Sequence, residues 1–306
     1  MRWLWILILL AGGGLAGGAT SRIELPDSVP IEALWQMPPN IAAQDLLTGP
    51  WGRANAPAPG VIYEFVQPKK GGSSPGLEVR DPQGRIWHVK QGREASPEVV
   101  VSRILSAIGY HQPPVYFLPS FLVLRSKDVV VADAGRFRLS RPELNAQGDW
   151  EWARNPFVGT RPYQGLLVAL VLLNSADLKQ SNNKIYFVTN PAGGVSWRYM
   201  VRDLGTSFGK TNRFNPPPNR LEVFEHQPFI LGVKDGFVEF DYGAVNNNLV
   251  RGRITPADVK WTCGLLGSLT DRQWRDAFRA GGYEPDVAAR FIRRIKEKIA
   301  EGRRLP

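Results

Sequence analysis

The sequence predicts an α+β fold, and three observations carry that reading. Short runs of alternating apolar and polar residues crowd the stretch from Val61 to Leu139, as in half-buried strands. One helical stripe interrupts them after Ser96. Beyond Gly159 the pattern turns to longer apolar and amphipathic helices, broken by two hairpin-like runs. At 306 residues the chain can bury a full core, as one two-lobed domain or two small ones.

Met1 to Ala19 reads as a signal peptide. Arg2 supplies a minimal positive start, Trp3 to Leu10 an apolar core, and Gly17-Gly18-Ala19 small residues for cleavage. The apolar run falls short of the ~20 residues that a membrane span needs. Cleavage and export, to the periplasm or the exterior, are therefore favoured over an uncleaved inner-membrane tether. Residues 20–60 form a Pro-rich extension with a short helical patch at Ile41 to Leu47. Leu34, Trp35, Ile41, Leu46 and Trp51 are the side chains expected to dock it.

Val61 to Val66 alternates as a first strand. Lys69-Lys70-Gly71-Gly72-Ser73-Ser74-Pro75-Gly76 turns the chain into a second strand, Leu77 to Arg80. Pro82-Gln83-Gly84 leads into a third, Arg85 to Lys90. A basic Gly/Ser turn can lay backbone N–H groups over phosphates, which makes Gly71, Gly72, Ser73 and Ser74 candidate binding residues. Alone, the same turn reads as a plain hairpin. The period of two puts Ile86, His88 and Lys90 on one face. Ser96-Pro97-Glu98 has the residue types of a helix start, with Ser as N-cap and Pro at the first helical position. That helix is expected to run to Ile108 and stop at Gly109. Tyr116 to Arg125 is strand-like, and Val129 to Leu139 is expected to be a hairpin turning at Asp133-Ala134-Gly135.

Gly159-Thr160 precedes a strongly apolar helix, Pro162 to Leu173. Lys184 to Val188 and Val195 to Val201 then read as one hairpin, Phe229 to Val233 and Gly236 to Phe240 as another. Three helices close the chain: one from Thr255-Pro256 through Leu266, one from Asp271 to Ala280 behind Thr270, and one from Glu284 or Pro285 to Ala300. The last is basic, with Arg290, Arg293, Arg294, Lys296, Lys298 and Arg303 as a possible contact for an anionic membrane or wall surface.

Composition narrows the chemistry. A net charge of +10, from 38 basic and 28 acidic side chains, favours anionic partners. No RNA- or DNA-binding motif accompanies it, so no nucleic-acid partner is expected. His88, His111 and His226 are scattered and Cys263 stands alone, which excludes a zinc site and an intrachain disulfide. There is no G-x-S-x-G elbow and no dinucleotide fingerprint.

The richest stretch is 174–205. Asp177-Leu178-Lys179 is followed by Asn182, and the second strand of the hairpin leads straight into Asp203-Leu204-Gly205. Phosphoryl transfer needs a carboxylate to orient the attacking hydroxyl and oxygen ligands to hold Mg²⁺ on the phosphates. Asp177 has the residue type of the base, and Asn182 and Asp203 those of the metal ligands.

D-L-K-x-x-N followed by D-x-G resembles the catalytic loop and metal-binding motif of the protein-kinase-like superfamily. The similarity is closer to atypical bacterial kinases of the HipA-like and CotH-like kind. Ser175-Ala176 stands where ordinary kinases carry His-Arg, Leu204 replaces the Phe of D-F-G, and no A-P-E follows. The chain after the leader is also similar to a group of exported bacterial proteins with the same layout.

The resemblance implies a bilobal fold. A small strand-rich N-lobe with one helix would span 61–125 and a larger, mainly helical C-lobe 126–306. It implies ATP and Mg²⁺ as cofactors, Lys90 on the nucleotide phosphates, and Glu98 or else Glu94 as the partner of that lysine. Lys179 would neutralise the moving phosphoryl group. His88 stands where most kinases keep a small side chain against adenine. The implied function is an exported ATP/Mg-dependent phosphotransferase whose acceptor (protein, lipid or glycan) the residues do not specify. A catalytically silent kinase-like module of the cell envelope, or an AMP-transferring enzyme on the same fold, are the alternatives.

Overall fold

The computed structural model describes residues 29–71, 74–141, 144–189, 194–211, 217–244 and 246–306. The expected leader, and Gly72 and Ser73 of the Gly/Ser turn, lie outside them.

Five strands close into a barrel. They are β1 (Ile62–Pro68), β2 (Gly76–Arg80), β3 (Ile86–Gln91), β4 (Val115–Arg125) and β5 (Asp128–Leu139), in the order β1-β2-β3-β5-β4. All neighbours are antiparallel except β1 and β4. The inward positions carry Tyr63, Val79, Trp87, Val89, Phe121 and Phe137, whose rings pack edge-on or tilted. Helix α1 (Ala95–Ala107) follows β3 and packs on β4 and β5.

Two expectations change here. The run Val129 to Leu139 is one continuous strand, not a hairpin. Asp133 and Gly135 pair with Ser120 and Leu118 of β4, and the turn lies earlier, where Ser126 takes a left-handed φ of 56°. A Cβ on Gly135 would meet Val89 at 2.6 Å, so glycine serves close strand packing at this point, not a turn. Because β5 completes the barrel, the strand-rich part does not stop at the expected Arg125 but runs on to Leu139.

Helix α1 also begins one residue before the expected cap. Ser96 is inside its first turn, and the start is closed by the Ala95 N–H donating to Gly92 O at 3.0 Å. Glu94, just ahead of the helix, directs its carboxylate elsewhere.

The second part holds five helices and five strands among the described residues. Helix α2 (Arg161–Leu172) is buried from Gly165 onward and capped by Thr160. Strands β6 (Leu144–Gly148), β7 (Asn183–Thr189) and β8 (Val195–Val201) form an antiparallel sheet. A short helix α3 (Leu221–His226) and the hairpin β9 (Ile230–Lys234) and β10 (Phe237–Phe240) follow. Capping boxes at Thr255/Asp258 and Thr270/Gln273 open α4 (Pro256–Leu266) and α5 (Asp271–Ala280). Helix α6 (Pro285–Arg303) ends the chain.

One hydrophobic cluster joins α1, α2, α4 to α6 and the N-terminal extension. Trp35 donates to Ile108 O at 2.8 Å and packs on Trp261; Trp51 donates to Gln112 O at 2.9 Å. The helical patch expected over Ile41 to Leu47 shrinks to a 3₁₀ turn, Ile41–Ala43. The reason is tertiary: the Gln273 amide takes Ile41 O and Gln44 O, so those carbonyls serve α5. Among the described residues no helix is long and apolar enough to cross a membrane.

The cations of α6 are largely engaged within the molecule. Arg290 and Arg293 pair with Glu225, Arg294 with Glu297, Lys296 with Asp271, and Arg303 donates to Cys263 O. Lys298 is fully buried.

Candidate functional site

Strand alternation places Trp87 and Val89 inside the barrel and Lys90 on its outer face, toward α1. The Lys90 Nζ lies 3.0 Å from Glu94 Oε2 and 3.0 Å from Glu98 Oε2, and it contacts Asp203 Oδ1 directly. Its side chain is only 3% exposed, so these carboxylates replace water around the ammonium. Both glutamates weighed as its partner therefore reach it.

Glu98 comes from the first turn of α1. Its other oxygen lies 3.0 Å from Arg136 Nε, and Arg138 stands 4.0 Å away. Burial alone raises a carboxyl pKa. Here the positive charges of Arg136, Lys90 and Arg138 outweigh burial and hold Glu98 down to about 2. It is a fixed anion at any ordinary pH.

Asp203 follows β8 in a left-handed conformation, φ 58° and ψ 47°, and leads into a 3₁₀ turn, Leu204–Thr206, that packs on α1. The glycine of D-L-G has a steric reason. A Cβ on Gly205 would meet Glu94 Cβ at 2.5 Å and Glu94 O at 2.6 Å. Only glycine lets the Asp203 turn approach the chain segment that carries Glu94, which brings Asp203 onto Lys90.

The Asp177 loop is positioned from behind. After α2 the chain turns at Asn174, φ 52°. The Asn174 amide donates to Gly209 O and Gln227 Oε1, and its Oδ1 accepts from the buried Lys298. Tyr242 donates to Ser175 O at 2.6 Å. The loop is then tied to the Asp203 turn: Asp177 N–H donates to Thr206 Oγ1 at 3.2 Å, Asn182 Nδ2 to Asp177 O at 3.0 Å, and Arg202 N–H to Asn182 O at 2.7 Å. These bonds set Asp177 and Asn182 beside the turn that carries Asp203. Lys179 lies 3.2 Å from Asp177 Oδ2, whereas Asp177 Oδ1 is buried without a hydrogen-bond partner.

In the Gly/Ser turn, Gly71 is exposed, and Ser74 O accepts from Lys69 Nζ at 2.9 Å. The β2–β3 register places Gly76 opposite Lys90, which brings the turn to the same end of the barrel. Burial, and then the charges of Lys90 and Arg136, lower the Lys69 pKa, so this lysine sits in the field of the cluster. His88 faces outward with its Nδ1 3.0 Å from Glu78 Oε1. Burial and Arg138 depress its pKa, which favours the neutral ring.

Arg136 and Arg138 escaped the sequence reading, and Lys69, read only as part of the basic turn, and Thr206 were not among its candidate site residues. For the two arginines a signal existed, because Arg136 and Arg138 flank the inward Phe137 with a period of two. Which strand they would meet was not local information. Among the described residues no three His, Cys, Asp or Glu side chains cluster to hold a metal. Three cavities lie elsewhere, and none of them is lined by Lys90, Asp177 or Asp203.

No family model matches the chain, and no curated protein does. Among solved structures it is similar to the proinflammatory kinase CtkA of Helicobacter pylori, with 8% identity, 79% of this chain and 97% of that chain covered, and a TM-score of 0.34. It is also similar to the Rio2 kinase of Chaetomium thermophilum in a complex with ADP/Mg²⁺ and phosphoaspartate. That match has 12% identity over 78% of this chain and 72% of that one, with a TM-score of 0.32.

Proposed function

We propose that this chain is an exported ATP- and Mg²⁺-dependent phosphotransferase on a bilobal kinase-like fold. One observation supports it above the others. Lys90 of the barrel meets Glu98 of α1 on one side and Asp203, 113 positions later, on the other. The Asp177 loop is bonded to the same Asp203 turn.

The donor set fits the cofactor. Asp203 and Asn182 carry a carboxylate and an amide oxygen, hard donors of the kind Mg²⁺ takes in small number while phosphate and water complete its shell. Bound there, Mg²⁺ would neutralise charge on the transferring phosphates. Lys90 would exchange Asp203 for a phosphate oxygen, with Glu94 and Glu98 keeping its ammonium in place. Asp177 Oδ1, buried and unpaired, has an acceptor site left for the hydroxyl of the substrate. Lys179 is half exposed and can swing from Asp177 to the moving phosphoryl group. Export rests on the residues of the leader alone.

A second reading, a silent module of the envelope, has its own support. Lys90 covers Asp203, and Lys179 covers one oxygen of Asp177. Transfer of AMP would use the same side chains.

Thermal unfolding of the full chain with ATP tests these readings. The expected result is a rise in Tm that requires Mg²⁺ and vanishes in Asp203→Ala. ADP release with labelled phosphate on an added protein, lipid or glycan marks phosphoryl transfer. Pyrophosphate release with AMP on the acceptor marks the nucleotidyl alternative. A Tm rise with neither product identifies the silent module, and no rise at any nucleotide concentration overturns nucleotide binding altogether.

A further inference from the structure

A cavity of about 420 Å³ lies on the side of the molecule where the N-terminal extension crosses the end of α1 and the β6-β7-β8 sheet. Its walls are largely apolar, with Met37, Pro38, Trp51, Tyr110, Val188 and Met200 among them. Met37 is 52% exposed, so the cavity is reached from solvent on that side. The volume falls in the range that holds small organic ligands.

One cation stands in this apolar setting. Arg198 of β8 lines the cavity, and among the described residues it has no carboxylate partner. Its Nη1 sits against the His111 ring, 2.7 Å from Nδ1 and 2.9 Å from Nε2, and His111 Nε2 lies 2.7 Å from Glu32 O. The arrangement is consistent when the Nε2–H donates to the carbonyl and Nδ1 accepts from the guanidinium. Burial first, and Arg198 with it, depress the His111 pKa to about 4, which keeps the ring neutral at pH 7. His111 therefore orients the guanidinium and adds no charge.

A guanidinium is a planar fork of five donors, and both contacts with His111 are made by the one Nη1, which leaves most of them unused. A cation half-removed from water without a counter-ion is costly, and a bound anion relieves that cost. Among the described residues one positive charge lines the wall besides neutral polar groups, which matches a monoanion better than a phosphate dianion. The surrounding Trp, Tyr, Met, Pro and Val side chains match an apolar body. We propose that this cavity binds a small monocarboxylate carried on an apolar body, its carboxylate held by Arg198. The proposal stands apart from the nucleotide reading, because no wall residue belongs to the Lys90 cluster.

Calorimetric titration of the full chain with octanoate and with 3-phenylpropionate tests it. The expected result is saturable binding by at least one of them, weakened tenfold or more when the carboxylate is replaced by the amide. The same loss is expected in Arg198→Met. Val188→Phe, which narrows the cavity and leaves the cation, should also weaken binding tenfold. If Arg198→Met unfolds, the amide comparison and Val188→Phe decide the matter in a folded protein. Absence of saturable binding to both acids, equal binding of the amides, indifference to Val188→Phe, or stronger binding of octyl phosphate than of octanoate would each overturn the proposal.

Discussion

The two sides of the candidate site hold their charges in opposite ways. On the barrel side the central charges are paired: Lys90, Arg136 and Arg138 surround Glu98, with Glu94 adding a second carboxylate. The groups are buried, and their positions follow from strand register and one helix turn. On the loop side, backbone hydrogen bonds do the positioning. Thr206, Asn182 and Tyr242 hold main-chain atoms of the 175–182 loop, leaving the Asp177 carboxylate with one buried oxygen free. A fully compensated cluster is a rigid support. A carboxylate whose backbone is fixed while one buried oxygen is unpaired keeps an unsatisfied acceptor.

This contrast can be broken by substitution, and the largest effect belongs to the loop side. On the phosphotransferase reading, Asp177→Asn should lower turnover by roughly 10²–10⁴-fold, the range for loss of a positioned general base, while the MgATP-dependent rise in Tm persists. Steady-state turnover and thermal shift measured on the same preparation check it. Loss of the shift as well would mean that Asp177 serves binding and that the two sides are not separable.

Glu98→Gln should cost about 3–5 kcal/mol of stability, since Lys90, Arg136 and Arg138 lose their shared anion in a buried place. Chemical denaturation measures this. The pH dependence follows from the depressed carboxyl, which titrates near 2 in the folded chain against an ordinary 4.5. The stabilisation is therefore complete above about pH 4.5 and lost as the pH falls toward 2. Wild type should lose stability more steeply than Glu98→Gln across that window; parallel curves would show that the cluster is not held by this charge.

The smallest effect is at Lys179. Its pair with Asp177 is half exposed, so Lys179→Ala should change stability by less than about 1 kcal/mol. On the phosphotransferase reading it should still lower turnover. A variant unchanged in both would leave Lys179 as surface decoration of the loop.

Much of the local structure was legible in the chain. The alternation of Arg85 to Lys90 gave the outward face of the lysine, and the capping residues at Thr160, Thr255 and Thr270 marked three helix starts, because both signals act within a turn or a strand. The misreadings share a cause. Asp133-Ala134-Gly135 has turn composition, yet pairing with β4 and close packing on Val89 draw it into a strand. Ser96 has cap composition, yet the helix begins before it through Gly92. The patch at Ile41 loses its helix to carbonyl bonds with Gln273. In each case a long-range partner outweighed a propensity worth a fraction of a kcal/mol to about one.

By itself the sequence determined which side chains carry charge, which face of the third strand Lys90 occupies, and where the helices behind Thr160, Thr255 and Thr270 begin. Those are consequences of backbone periodicity and of groups a few residues apart. Only the tertiary structure decided that Arg136 and Arg138 join the ion cluster and that Gly205 admits Asp203 to Lys90. It alone set Arg198 in an apolar cavity with no carboxylate partner among the described residues. Strand order and close approach are properties of the whole packed chain, and no local pattern encodes them.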